Sequence, residues 1–334
     1  MDALGGLYDP NASDPYAISP RVRAAVKDSG LTALQLTVGD VGNGPDRFRL
    51  AVEGIARARG MIRANPDLLR HVLNASDLAA AKSENRLGLV LGFQDTTPLE
   101  GDPARVGVFA ELGMRVIQLT YNKRNLAGDG ALEAADAGLS DMGREIIAEI
   151  ERNRLLLDLS HGGRRTIAEA LGAATRPPTI SHTGCRAVTD YPRNVDDAAL
   201  RATAEKGGVV GIYFMPFLRT SGQATREDLI RHLEHAVKVA GEDHVGIGTD
   251  GGLAGVVIDD AARRRQREFV ERRQALGIAA PGEAADVFNI VTEYNHPGRY
   301  LQLAEDLTAR GWPASRVDKL LGANFARLYR DVWG

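Results

Sequence analysis

The chain has 334 residues, 44% of them hydrophobic and 25% charged, with a formal net charge of −3. These values describe a globular protein and exclude the basic surplus of a nucleic-acid binder. The single cysteine, Cys185, excludes an internal disulfide framework, and neither an export signal nor an apolar run of about eighteen residues is visible, so a cytoplasmic protein with no membrane contact is expected.

Along the chain, short apolar runs rich in β-branched residues alternate with amphipathic helical patterns, as in a buried parallel sheet with crossover helices. A short strand at 2–8 precedes a helical pattern at 20–30. Strands at 31–37, 86–93, 114–120, 154–160, 177–181, 207–213 and 244–250 follow, separated by helical stretches at 47–66, 102–113, 140–153, 164–174, 196–207 and 225–241. Several of these stretches begin with Ser, Asp or Thr and end at Gly, the residues that cap helices. Eight strands alternating with helices predict a (β/α)8 TIM barrel spanning residues 1–334 as one domain. Residues 251–298 are long for a connection. They hold a helical piece from Asp259 to Leu276, and form a lid or a subunit contact after the last strand. Within it, the run Arg263 to Glu268 lies among acidic residues and reads as a solvated helix face. Residues 304–333 give two further helices on the barrel's outside.

In such a barrel the chemistry gathers at the C-terminal ends of the strands. Those ends carry Gln94 and Asp95, Tyr121 and Asn122, His161, His182, Tyr213, and Asp250. Two imidazoles on adjacent strands with a carboxylate across the mouth supply the N and O donors a zinc-type ion takes. The other histidines point elsewhere. His232 and His235 sit on an amphipathic helix in surface or packing roles, and His71 lies in a polar helical or loop region. His244 begins the last strand at the wrong end for catalysis, and His296 lies in a polar loop able to fold over the mouth.

The segments "QLTYNKRN", "GLSDMGREIIAEIERNRLLLDLSH", "PTISHTGCRAVTDYPRN", "EKGGVVGIYFMPFL", "DHVGIGTD" and "LLGANFARLY" follow one another in the order and spacing of the membrane (renal) dipeptidase family. This is peptidase family M19, within the amidohydrolase superfamily, and the chain resembles it from about residue 85 onward. The resemblance implies a homodimeric metallohydrolase that cleaves dipeptides with two zinc ions. It makes His161 and His182 look like the histidines of one zinc site, and Asp250 like the strand-eight aspartate that binds metal or handles the proton of water. Arg193 resembles the arginine that grips the substrate carboxylate, a task suited to a guanidinium fork.

Four positions depart from the family pattern. Leu4 and Gly6 stand where the first strand carries a metal-binding His and Asp, Gln94 stands where a glutamate bridges the two ions, and Tyr121 replaces a carbonyl-polarising histidine. The expectation is therefore a hydrolase of dipeptide-like amides running on one zinc ion. His161, His182, Asp250 and Gln94 or Asp95 would form its shell, Asp250 would be the base, Tyr121 the oxyanion donor, and Arg193, Asn122 and Tyr213 would hold substrate. The alternatives are a two-ion site completed by Asp2, Asp9 or Asp14, or a barrel with another reaction or only a binding role.

Overall fold

The computed structural model describes residues 1–7 and 18–334. Along the chain run β1 (Asp2–Gly6), α1 (Pro20–Asp28), β2 (Ala33–Thr37), α2 (Arg47–Ala64), β3 (Leu69–His71), α3 (Ala75–Ser83), β4 (Leu87–Phe93), α4 (Arg105–Glu111) and β5 (Met114–Gln118). There follow α5 (Asp141–Arg152), β6 (Leu156–Asp158), α6 (Arg164–Ala173), β7 (Thr179–Thr183), α7 (Asp197–Glu205), β8 (Val209–Ile212) and α8 (Arg226–Ala240). The last elements are β9 (Val245–Ile247), β10 (Gly251–Gly252), α9 (Asp260–Ala275), α10 (Arg299–Ala309), α11 (Ala314–Asp318) and α12 (Asn324–Trp333).

All strand pairings are parallel, in the order β10-β1-β2-β4-β5-β6-β7-β8-β9. The two ends of this list are one interrupted stave. β9 pairs with β8, three residues intervene, and β10 pairs with β1 through Gly5 and Gly251. The Asp250 N–H donates to the Leu4 carbonyl at 2.8 Å across that seam. This joint closes a (β/α)8 barrel, and closure leaves its wall no unpaired edge.

Local chemistry supports each crossover. The Ser140 hydroxyl accepts from Gly143 N–H to cap α5, Asp196 caps α7, and Asp259 caps α9. Thr225 and Asp228 form a reciprocal capping box on α8.

The barrel interior is layered. Ala3, Ala33, Val90, Val116, Leu156 and Val209, one from each of six strands, form a single cluster with Phe325, Leu328, Tyr329, Val332 and Trp333 of α12. α12 thus lies across the N-terminal end of the barrel as its floor, not on its outer wall as expected. A Cβ at Gly246 would meet the Phe325 ring at 2.5 Å, so the floor helix fits only because β9 is bare there. Two residues further along their strands, and so on the same face, stand Gln35, Gly92, Gln118, Asp158 and Gly211. The core therefore turns from apolar to polar or small on the way to the mouth.

The eight expected strands are present, seven of them trimmed by one to four residues and the one expected at 177–181 displaced to Thr179–Thr183. Two short elements went unforeseen. β3 pairs with the lower half of β4, and α3 follows it. His71 ends β3, where its Nε2 lies 3.1 Å from the Gly113 carbonyl, so it belongs to strand structure and not to a helix or loop. The expected helix after the last stave is α9, and none of the described helices is long and apolar enough to cross a membrane.

Candidate active site

His161 leaves β6 at φ 63°, and Asp250, between β9 and β10, has φ 54°. Left-handed backbone at a residue with a Cβ costs on the order of 1 kcal/mol, and such strain collects where a side chain must be aimed. Both side chains line one cavity of about 280 Å³ at the barrel mouth, together with Tyr121, Asn122 and Arg193.

The protons of the two imidazoles can be traced. The Asn122 amide donates through Nδ2 to the Ile278 carbonyl at 2.8 Å, which turns its Oδ1 toward His161 Nδ1 at 2.7 Å. His161 Nδ1 is therefore the protonated nitrogen. The Asp158 carboxylate accepts from the N–H and hydroxyl of both Ser160 and Ser181, at 2.9, 2.7, 3.0 and 2.5 Å. Three of these donors fall on Oδ1 and one on Oδ2; burial pushes this carboxyl up and the hydrogen bonds oppose that. The Ser181 hydroxyl spends its proton on Asp158, so its oxygen accepts from His182 Nδ1–H at 2.8 Å.

Both rings consequently present bare Nε2 lone pairs, and these face each other at 2.9 Å. Burial, helped by the nearby Arg193 charge, drives both imidazoles well below their ordinary range, so both rings are held neutral. Imidazole nitrogens are the donors a zinc-type ion would take.

The remaining expected ligands do not join this pair. Among the described residues no group of three His, Cys, Asp or Glu converges on a metal position. Asp250 shares the cavity without completing such a group, and the half-buried Gln94 side chain has no hydrogen-bond partner among the described residues. Asp95 accepts from Gly42 N–H and from both the N–H and hydroxyl of Thr97, which makes it a turn-forming residue. Asp2, the candidate second-ion ligand, accepts from Leu4 N–H, Thr249 N–H, the Thr249 hydroxyl and the Tyr300 hydroxyl. Asp9 and Asp14 lie outside the described residues.

The rest of the mouth is built from charge and aromatic surface. Arg193 is 4% exposed, and among the described residues its guanidinium enters no ion pair or hydrogen bond. Burial lowers its pKa, and Asp250 is among the groups opposing that. Burial raises the Asp250 carboxyl to about 6, against the pull of Arg193 and Arg273. Tyr121 stacks on the His161 ring at 4.2 Å, and burial raises its phenol. Its oxygen accepts from Arg273 Nη1 at 3.1 Å, which frees its own proton for donation into the cavity.

Tyr213, expected at substrate, is fully buried and donates to Asn194 Oδ1, so it braces the loop that carries Arg193. Asn122 touches the cavity, but its hydrogen bonds orient His161. His232 takes the Cys185 N–H on Nδ1 and meets Leu218 O with Nε2, a packing role, while His235 bonds Asp197. His244 binds the Gly208 carbonyl at the barrel's lower end, and His296 bonds Gln302 and is not part of the cavity lining.

Sequence reasoning passed over Arg273 and Glu283. Arg273, on α9, pairs with Glu283 through two bonds of 2.7 and 2.9 Å, both groups nearly buried, and its charge lies over the Tyr121 ring. No short-range pattern flags them. Only the helical spacing of Arg265, Phe269 and Arg273, which puts all three on one face of an otherwise exposed helix, hints at an inner side.

Comparison with known proteins places this geometry. Residues 18–264 match the model of the membrane dipeptidase family, peptidase family M19. A solved amidohydrolase from Pseudomonas aeruginosa is 31% identical, with a TM-score of 0.84 over 100% of this chain and 96% of that one. An uncharacterized protein of Klebsiella pneumoniae is 26% identical over 86% of this chain and 98% of its own length. An uncharacterized dipeptidase of Schizosaccharomyces pombe is 33% identical, the match spanning 60% of this chain but only 50% of the relative. A Rhodobacter sphaeroides metallo peptidase, solved with a phosphinate mimic of L-Ala-D-Ala, shares the fold at 20% identity and a TM-score of 0.75, over 98% of this chain and 93% of that one.

Proposed function

The chain belongs to the membrane dipeptidase family of hydrolases, and from that premise we propose that it hydrolyses the amide bond of a dipeptide or dipeptide-like substrate at a one-ion site held by His161 and His182. The observation that carries this reading is the pair of bare Nε2 atoms facing each other at 2.9 Å. A divalent ion such as zinc supplies Lewis-acid polarisation there and lowers the pKa of water toward neutrality. The family's second ion finds no support on β1, where Leu4 and Gly6 offer no donor side chain and Asp2 is saturated.

This chain's own groups do the rest. Arg193, buried and in no ion pair among the described residues, binds the substrate's free carboxylate and so orients the scissile amide. The Tyr121 O–H, aimed by Arg273, donates to the carbonyl oxygen as it gains negative charge. Asp250, raised to about 6, takes a proton from the attacking water and returns it to the leaving nitrogen, which departs as an amine. Asn122 and Ser181 hold the two imidazoles in the tautomers that leave Nε2 free. A homodimer, taken from the family resemblance, is part of the same proposal and is checked by light scattering.

The test is hydrolysis of a dipeptide panel by protein loaded with zinc, cobalt or manganese. Cleavage that is lost in both His161→Ala and His182→Ala supports the reading. A metal-loaded protein that cleaves no dipeptide and no N-acyl amino acid overturns it.

A further inference from the structure

The active-site cavity is not the largest at the mouth. A second cavity of about 620 Å³ opens beside it beneath α9 and shares three of its lining residues, Asp250, Phe269 and Asn289. Its far walls are Gly252, Val256, Phe288 and the inner face of α9, where Ala262 and Arg265 stand. Phe288 and Ala262 belong to a small apolar cluster separate from the barrel core, so this chamber has walls of its own. Most of it is built from residues beyond 264, where the match to the family model ends.

The two cavities meet at one defined point. Arg193 and His161 line the smaller one and are absent from the larger, whereas Asp250, the proposed base, borders both. A substrate whose carboxylate sits on Arg193 and whose carbonyl faces Tyr121 therefore directs its acyl side past Asp250 into the chamber under α9. The smaller cavity, at about 280 Å³, is less than half the size of its neighbour at about 620 Å³. A chamber of this size, with an apolar surface from Val256, Ala262, Phe269 and Phe288 and a polar rim of Arg265, Gln266, Glu268 and Arg272, takes an aromatic ring system or a branched acyl chain.

We infer that the preferred substrate class is an amino acid N-acylated with a bulky apolar group, whose acyl moiety occupies the cavity between β10 and α9. The inference rests on the proposed Arg193 anchor for its orientation and on the second cavity for its specificity, and these two are separable.

N-dansylalanine carries a free carboxylate and a large aromatic group on a sulfonamide that an amide hydrolase does not cleave, and N-methanesulfonylalanine is its small counterpart. Calorimetry on metal-loaded protein measures both. The dansyl compound is expected to bind at least ten-fold more tightly, with blue-shifted emission. Gly252→Phe is the discriminating variant, because a Cβ at Gly252 meets nothing within 4 Å and its φ is not left-handed. The new ring fills the chamber, and the affinity ratio should fall to about one. Arg265→Trp, from the opposite wall, gives the same readout should the first variant fail to fold. Equal affinities in the unmodified protein, or a ratio that survives both variants, overturns the inference and leaves the dipeptidase reading standing. Dansyl binding that is lost with Gly252→Phe but unchanged in Arg193→Met upholds the chamber and overturns the anchor.

Discussion

His161 and His182 point their Nε2 atoms at each other across 2.9 Å, while Asn122 and the Ser181–Asp158 pair engage both Nδ1 atoms. One divalent ion per chain is therefore expected by metal analysis, with none retained in His161→Ala or His182→Ala. Asn122→Ala, which frees the His161 tautomer, should weaken zinc affinity about 10–100-fold while both ligands remain, the usual effect of losing an outer partner. Two ions per chain would contradict the single-site account.

Asp250 should govern the pH response. Its folded-state pKa, about 6, lies above the ordinary carboxylate value of 3.8, so the folded chain holds that proton more tightly than the unfolded one. No penalty exists below pH 3.8. The penalty grows as pH rises and is complete above 6, where the buried group is ionised. Asp250→Asn should accordingly raise stability by about 1–3 kcal/mol at pH 8 and leave it unchanged at pH 3.5. The same variant should abolish hydrolysis, and the unmodified enzyme's kcat/KM should climb with pH through about 6. Thermal melts and a pH–rate profile check both halves.

Arg193 gives an unusual prediction for a buried cation. It has no ion-pair partner among the described residues and only the through-space pull of Asp250 and nearby phenols, so Arg193→Met removes a largely desolvated charge and should leave the melting temperature level or raised. KM for carboxylate-bearing substrates should rise roughly 100-fold, matching a loss of about 3 kcal/mol of binding, whereas substrates amidated at that end should be unaffected. Steady-state kinetics on the matched pair decides it.

The Arg273–Glu283 pair fastens the segment over the mouth to itself and to Tyr121. Breaking one side strands a buried charge, so Arg273→Met should destabilise that segment by about 3 kcal/mol, with much of the loss recovered in Arg273→Met/Glu283→Met. Hydrogen exchange is the proper measure. Amides of residues 269–283 should exchange faster while those of β4 and β5 keep their protection.

The barrel was readable from sequence because its staves are apolar runs bounded by caps and turns, a pattern set within ten residues. The strand-end rule located His161, His182 and Asp250 because closure puts every such end on one rim. β3 and α3 escaped because "LRH" is too short for periodicity and α3 has hardly any apolar face. Tyr213 was expected at substrate, but its hydroxyl is committed to Asn194, a partner that no pattern within the strand announces. Arg273 and Glu283 were invisible for a different reason. Their partnership spans ten residues of irregular chain, and an arginine-rich helix reads as solvated unless its fold-back onto Tyr121 is already known. The floor helix was foreseen as a helix but misplaced, because an amphipathic pattern says which face is buried and not against what.

That floor has a consequence for traffic. With α12 stoppering the lower end of the barrel, the polar interior opens, among the described residues, toward the mouth, where the two cavities under α9 join at Asp250, Phe269 and Asn289, so reactant and products pass on the same side of the sheet.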